Sequence, residues 1–342
     1  MKKRKKLLTL LIVSIFAIVT PISFADSLDN VSDNTPSKSI KVQRISGGDR
    51  YETSTAVAKE IQKSSNYFYY AILASGETFP DALSAGSLAS ELGVPLLLTE
   101  KKTIPQKVVD TLDELQIGKF YLVGGKNSVG KEIEKQISEV FRGKKLERIS
   151  GKNRLFTAIS VAEEIREYRR YLLLGETAAT YNSNAFSDAL SAAPFMYQYN
   201  KQFKDGYSLP LLPFVEVENN YFPGIYIAFG GKNSIPDNAD VRLSGSDRYK
   251  TAVEVAKAYK TMLKMDIDTI VLVSGENYPD ALTSTPLASK QNAAVLLTKS
   301  DKLNVDTKEY IKSNPNIKNI IIVGGENSVS KDVEKELLNI RQ

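Results

Sequence analysis

The sequence predicts an α/β protein made of three tandem units, each a parallel sheet covered by helices. Two observations carry the prediction. Long words recur three times in one order, and within each copy short continuous apolar runs alternate with segments of helical period. "RISGGDRYETSTAVA" at 44–58 returns as "RISGKNRLFTAISVA" at 148–162 and "RLSGSDRYKTAVEVA" at 242–256. "SGETFPDALSAG" at 75–86 returns as "SGENYPDALTST" at 274–285, and more loosely as "LGE" at 174–176 with "FSDALSAA" at 186–193. "VPLLLT" at 94–99 has counterparts in "LPLLPF" at 209–214 and "AAVLLT" at 293–298. "GGKNSV" at 124–129, "GGKNSI" at 230–235 and "GGENSV" at 324–329 close the copies. From the first Arg of a copy to the first Gly of its closing word is 80 or 82 residues, a domain-sized spacing rather than that of a short solenoid repeat.

Taken in order, the first copy reads as follows. "KVQRIS" is a strand. Asp49 caps a helix, with Glu52 at capping-box spacing, and Ala56, Val57 and Ile61 give its apolar face. "YYAILAS" is a buried strand. Pro80 suits a helical first turn, Asp81 suits the positive end of the helix dipole, and Gly93 stops that helix. "PLLLT" is a strand. Ile104, Val108, Val109, Leu112 and Leu115 mark a further helix, "FYLVGG" a strand and "EIEKQISEVF" a last helix, with Ser128 available to cap it. Each copy is thus a small Rossmann-like α/β unit. The C-terminal ends of its strands share one edge, where ligands of such sheets bind, and the recurring words fall on that edge. The expected organisation is a signal peptide at 1–25, a linker at 26–39, and copies at 40–143, 144–238 and 239–342. The second copy is atypical: the stretches "VEVENNYFPG" and "IPDNADV" are too short for two of the helices, and "FSDAL" lacks the Pro.

Residues 2–6 are all basic, an apolar run reaches Val19, and Ser23-Phe24-Ala25 offers small residues for cleavage. The run is short for a membrane span, so a secreted chain beginning at Asp26 is expected, with no membrane span afterwards. The whole chain has 45 basic and 40 acidic residues. All five basic residues of the excess lie in the signal, so the remainder is balanced. Such balance argues against a non-specific nucleic-acid binder. There is no Cys and no His. Disulfides, Ser-His-Asp and Cys-His mechanisms and most zinc sites are therefore excluded.

The three words in order, Arg-Ile-Ser-Gly-x-Asp-Arg, Pro-Asp-Ala-Leu and Val-Gly-Gly-x-Asn-Ser-Val, resemble the type 2 cell-wall-binding repeat of Gram-positive, notably clostridial, surface and S-layer-associated proteins. The resemblance spans about 44–342. It implies a triplet of Rossmann-like domains around a pseudo-threefold axis, located at the cell surface. It also implies non-covalent anchoring to an anionic secondary cell-wall polymer, a teichoic-acid-like or other polysaccharide, without catalysis, cofactor or metal. Family members usually carry a separate functional domain beside the triplet. None is expected between 26 and 342, so an anchor module alone is expected, and other surface-layer proteins are candidate partners.

Candidate polymer contacts are Arg50, Arg154 and Arg248, cations placed three times at a helix start, where the dipole does not favour them. Either an anionic ligand or an ion pair with Glu77, Asp81, Glu276 or Asp280 would account for them. The closing turns add Gly124, Gly125, Lys126 and Asn127 in the first copy, Gly230, Gly231, Lys232 and Asn233 in the second, and Gly324, Gly325 and Asn327 in the third. Their glycines offer backbone N–H groups and their asparagines suit a turn or a sugar hydroxyl. The charge reverses at Glu326, as expected of solvated surface. Glu77 with Asp81, and Glu276 with Asp280, also permit the alternative of a glycan- or peptidoglycan-cleaving hydrolase. That spacing is lost in the second copy. Tyr51, Tyr249, Tyr67, Tyr69 and Tyr70 could stack on sugar or serve packing. A third alternative is an assembly protein docking through the second copy.

Overall fold

The structure, a computed structural model, describes residues 39–341 apart from 66, 169–176, 203–208, 216–223 and 237. The segment read as a signal peptide, and nearly all of the linker, lie outside the described residues. No helix among the described residues is long and apolar enough to cross a membrane.

Chain order is β1 (Lys41–Ile45), α1 (Arg50–Gln62), β2 (Tyr70–Ser75), α2 (Phe79–Leu92), β3 (Leu96–Thr99), α3 (Gln106–Glu114), β4 (Lys119–Val123), α4 (Lys131–Val140) and β5 (Lys145–Ile149). There follow α5 (Arg154–Tyr168), β6 (Thr177–Asn182), α6 (Phe186–Gln202), β7 (Leu211–Phe214), β8 (Gly224–Phe229) and β9 (Ala239–Leu243). The last part is α7 (Arg248–Thr261), β10 (Thr269–Ser274), a 3₁₀ turn (Ala281–Thr283) running into α8 (Ser284–Lys290), β11 (Ala294–Thr298), α9 (Val305–Ser313), β12 (Asn319–Val323) and α10 (Lys331–Leu338). The expected alternation is present, and α2 stops at Gly93 in the left-handed conformation (φ 65°).

These strands form three four-stranded parallel sheets, ordered β3-β2-β4-β5, β7-β6-β8-β9 and β11-β10-β12-β1. Each sheet takes its fourth strand from the start of the next copy, and the ring closes because β1 pairs with β12 (Lys41 opposite Asn319, Ile45 opposite Val323). The helix after each such strand leaves for the neighbouring unit: α1 packs on β3, α5 on β7 and α7 on β11. At the centre α2, α6 and α8 each pack against the other two. Gly86 of α2 comes so close to α8 that a Cβ there would lie 2.4 Å from the Thr285 hydroxyl. One apolar core runs through all three units, and Lys38–Gln342 forms a single body.

In the second sheet no helix occurs among the described residues between β7 and β9. The face is not left bare. Ile235, from the turn after β8, is fully buried with Phe214, Ile225 and Ala228 in a small cluster of its own. The copy's own turn thus supplies part of the cover.

Candidate functional site

The recurring words meet at the C-terminal edges of the sheets, and strand pairing decides which words meet. Because β4 and β5 are neighbours, the turn after β4 lies beside the loop after β5, which belongs to the next copy. Gly124 N donates to Ile149 O at 2.9 Å, and the counterparts Gly230 to Leu243 O and Gly324 to Ile45 O both measure 3.0 Å. Each rim is therefore a composite of two copies.

The first Arg of each copy locks this junction. Arg148 donates to Gly124 O (2.7 Å), Val129 O (2.9 Å) and Gly130 O (3.2 Å), and its Nε reaches Glu134 at 2.6 Å. Arg44 does the same in the third sheet, with Gly324 O, Val329 O, Ser330 O and Glu334. Arg242 donates to Gly230 O at 2.9 Å. These arginines bind backbone and carboxylate inside the fold. Their signal in the sequence is the arginine opening each copy, in "RIS" at 44 and 148 and "RLS" at 242.

The glycine opening each closing turn has a φ of 124°, 130° or 126°, at Gly124, Gly230 and Gly324 respectively, in a region disfavoured for side chains. A Cβ there would also come within 3.0 or 3.1 Å of an Oδ2 of Asp81, Asp188 or Asp280. Those aspartates, from the "DAL" words, lie at the crevice between the two middle strands, where the strand order reverses. Ser128 Oγ donates to Asp81 Oδ2 at 2.8 Å and Ser328 Oγ to Asp280 at 2.6 Å. Ser128 thus does not cap α4 as expected; Gly130 holds the N-cap position. Asp188 is buried, and burial pushes its pKa up to about 6, with Arg248 acting the other way. A raised pKa means the folded state holds more protons than the unfolded state between about pH 4 and 6. Stability from this group therefore falls as pH rises through that window, by about 3 kcal/mol at most. Asp188→Asn should gain on the parent in urea midpoint between pH 4 and pH 7; parallel pH profiles would contradict the assignment.

The second arginines do not make the ion pairs weighed for them. Arg50 Nη1 donates to Gly76 O at 2.7 Å, Arg248 Nη1 to Gly275 O, and Arg154 Nη1 to Ser183 O and Asn184 Oδ1. They pair with groups at the strand ends rather than with Glu77, Asp81, Glu276 or Asp280; Arg50 and Arg154 line grooves at their rims, and Arg248 lies over the Phe186 ring at 5.9 Å. Each follows a working cap: Asp49 accepts from Glu52 N (2.8 Å), Asn153 from Phe156 N (3.1 Å) and Asp247 from Lys250 N (2.9 Å). Glu52 completes the box through Gly48 N at 2.9 Å.

The carboxylates of the hydrolase alternative are engaged in loop geometry. Glu77 accepts from Lys101 N at 3.0 Å, Glu276 from Ser300 N at 2.9 Å, and Asp81 and Asp280 hold the serines above. Tyr51 and Tyr249 lie against Gly76 and Gly275, where a Cβ would come within 2.8 and 2.7 Å of their rings. Tyr69 and Tyr70 meet edge-on, and Tyr70 stacks on Tyr121. These are packing roles.

Three aromatic rings that the sequence analysis did not single out converge at the centre. Phe79, Phe186 and Tyr278 each immediately precede a "PDAL" or "SDAL" word. Their centroids lie 6.1, 5.4 and 5.8 Å apart, pair by pair. Tyr278 also donates its hydroxyl to Glu77 O at 2.7 Å. The rings form a half-buried cup at the starts of the three central helices, between the rims.

Two rims open into sizeable grooves. One, of about 590 Å³, is lined by Thr78 and Asp81, by Gly125–Ser128, and by Ser150–Arg154 of the next copy. The other, of about 560 Å³, lies at the ring closure and is lined by Asn277 and Asp280, by Gly325–Ser328 and by Gly47–Arg50. Lys126, Asn127, Lys232, Asn233 and Asn327 are exposed on the rims, as expected of turn residues. Among the described residues no cluster of His, Cys, Asp and Glu could hold a metal ion.

Three composite rims around a helical centre define a repeat-built binding module. The sequence matches the family described as cell wall binding domain 2 at residues 44–134, 148–240 and 242–334, and the chain belongs to that family. It is 26% identical to the "Amidase enhancer" of Bacillus subtilis over 98% of this chain and 48% of that protein. It is also 26% identical to "N-acetylmuramoyl-L-alanine amidase LytC" of the same organism, over 87% of this chain and 58% of that one. Among solved structures, Cwp8 and Cwp6 from Clostridium difficile superpose with TM-scores of 0.71 and 0.69 at 23% identity. The alignments cover 88% and 92% of this chain but 52% and 51% of theirs, and they show the shared three-unit fold. The chain thus spans about half the length of its relatives. Its family is a cell-wall-binding one, which places the chain at the cell surface.

Proposed function

We propose that the chain is a non-enzymatic anchor held to the wall by an anionic secondary polymer rather than by peptidoglycan. The observation that carries this is the threefold recurrence of one composite rim, each bordered by a second arginine that donates to a carbonyl at a strand end. Oxyanions suit such donors. Contacts that are modest one at a time gain strength when three are offered at fixed spacing. The carboxylates needed for hydrolysis are held by serine hydroxyls and backbone N–H groups, in keeping with a binding role. The amidase activity named for one relative is a property of that longer protein, and this chain's share is proposed to be attachment alone.

Binding to purified walls should weaken as salt rises and vanish once acid-extractable polymer is removed. A pull-down comparing intact and stripped walls at two salt concentrations tests this. Equal retention on stripped walls would refute it, as would release of reducing ends or amino groups that Glu77→Gln abolishes.

A further inference from the structure

The rims carry the same words but not the same charges. The groove on the first sheet is lined by Lys126, Arg148, Lys152 and Arg154 against one carboxylate, Asp81. Its counterpart at the ring closure is lined by one cation, Arg50, against Asp49, Asp280 and Glu326. Apart from Arg148, whose counterpart Arg44 is also an arginine, the difference arises at three aligned positions. Lys126 becomes Glu326, Lys152 becomes Gly48 and Asn153 becomes Asp49. Partner choice widens the gap. Glu326 holds Lys331 at 3.0 Å, neutralising it, whereas the first copy has Lys126 and Lys131 at those places, both cationic. Lys126 and Lys152 are exposed and make no ion pair among the described residues. Arg148 is committed to Glu134. Lys126, Lys152 and Arg154 are then the cations left to face a ligand.

We infer that the groove between the first and second copies is the principal anion site of this chain, built for a phosphate-type group on a glycan, and that Glu326 and Asp49 close the equivalent groove at β1–β12 to anions. The inference rests on the anchoring proposed above and adds to it an unequal division of labour. Arg154 gains importance from it, since the atypical second copy contributes the loop that completes the best-equipped groove. Asn127 and Asn153 stand at the same mouth and offer both donors and acceptors to neighbouring hydroxyls.

The test uses the whole chain, with walls bearing their polymer, stripped walls, and inorganic polyphosphate as a defined probe. Lys126→Glu with Lys152→Glu reverses two exposed charges that make no ion pair among the described residues; Lys152 Nζ lies 4.2 Å over the Phe156 ring, a contact of small worth at an exposed site, so the melting temperature should change little. It should lower retention on intact walls and affinity for polyphosphate roughly tenfold or more at low salt. Lys107→Glu with Lys312→Glu makes the same net change on exposed helix positions that line neither groove, and should cost less than about twofold. Glu326→Lys should strengthen both kinds of binding by opening the second groove. Loss in the Lys107/Lys312 pair equal to that in the Lys126/Lys152 pair would overturn the groove assignment while leaving wall anchoring intact. If the parent protein ignores intact walls yet loses polyphosphate on Lys126→Glu with Lys152→Glu, the anion site stands and the wall polymer is the wrong ligand. No gain from Glu326→Lys would overturn the claim that the ring-closure groove is shut by charge.

Discussion

A variant lacking Lys41–Ile45 should lose the third sheet and, with it, cooperative unfolding of the whole molecule. Strand β1 contributes a full parallel ladder to β12, and Ile40 and Ile45 are both buried beside it. Their burial is worth roughly 1.5–3 kcal/mol each. Arg44 adds a half-buried ion pair with Glu334 at 2.8 Å and hydrogen bonds to three carbonyls, none of which has another side-chain donor in its place. The total approaches the 5–15 kcal/mol that stabilises a typical domain. Urea unfolding of the truncated chain should show a much lower midpoint and a second, separate transition. Hydrogen exchange should rise first along β12. An unchanged single transition would mean that β1 is an ornament on a sheet stable without it.

The second large effect is expected from Arg148→Ala, and it should far exceed that of Arg154→Ala six residues on. The Arg148 side chain is only 13% exposed and serves Glu134 and three carbonyls at once. Removing it strands a carboxylate and leaves a positive-φ turn without its donor, a loss of about 3 kcal/mol. Arg154 makes hydrogen bonds only at the rim, and its loss should cost about 1 kcal/mol. Wall binding should rank the other way when both variants are assayed well below their melting temperatures. Thermal melts and wall retention measured on the same two proteins decide this; equal destabilisation would erase the distinction between clamp and contact.

That distinction marks how far the sequence could be read. Three copies, alternating strands and helices, and motifs gathered on the strand ends were legible because they are local: apolar run length, caps and glycine stops act within a few residues of one another. Which strand completes which sheet was not. "KVQRIS" carries the same apolar content whether it pairs with its own copy or its neighbour's, and only packing of the following helix across the unit boundary settles the matter. The roles of the two arginines in each copy were hidden for the same reason. Arg44, Arg148 and Arg242 look like strand-end surface residues until the neighbouring turn is placed beside them. The aromatic cup of Phe79, Phe186 and Tyr278 needed all three copies in space at once. The short loops of the second copy were legible from their length, whereas the use of Ile235 as a patch on its sheet was not; residues 216–223, where one helix was not expected, lie outside the described residues.

The pairing of β1 with β12 also sets a timetable. The first sheet waits for Ile149 and the second for Leu243, so neither can finish before the next copy has begun to emerge. The third reaches back to residues made far earlier: Lys41 finds its partner only when Asn319 exists. At 5–20 residues per second, the earliest strand spends on the order of tens of seconds unpaired. During that interval the third sheet is incomplete and the ring is open. Closure of the ring is thereby postponed until β12 has been made, and that strand is the latch.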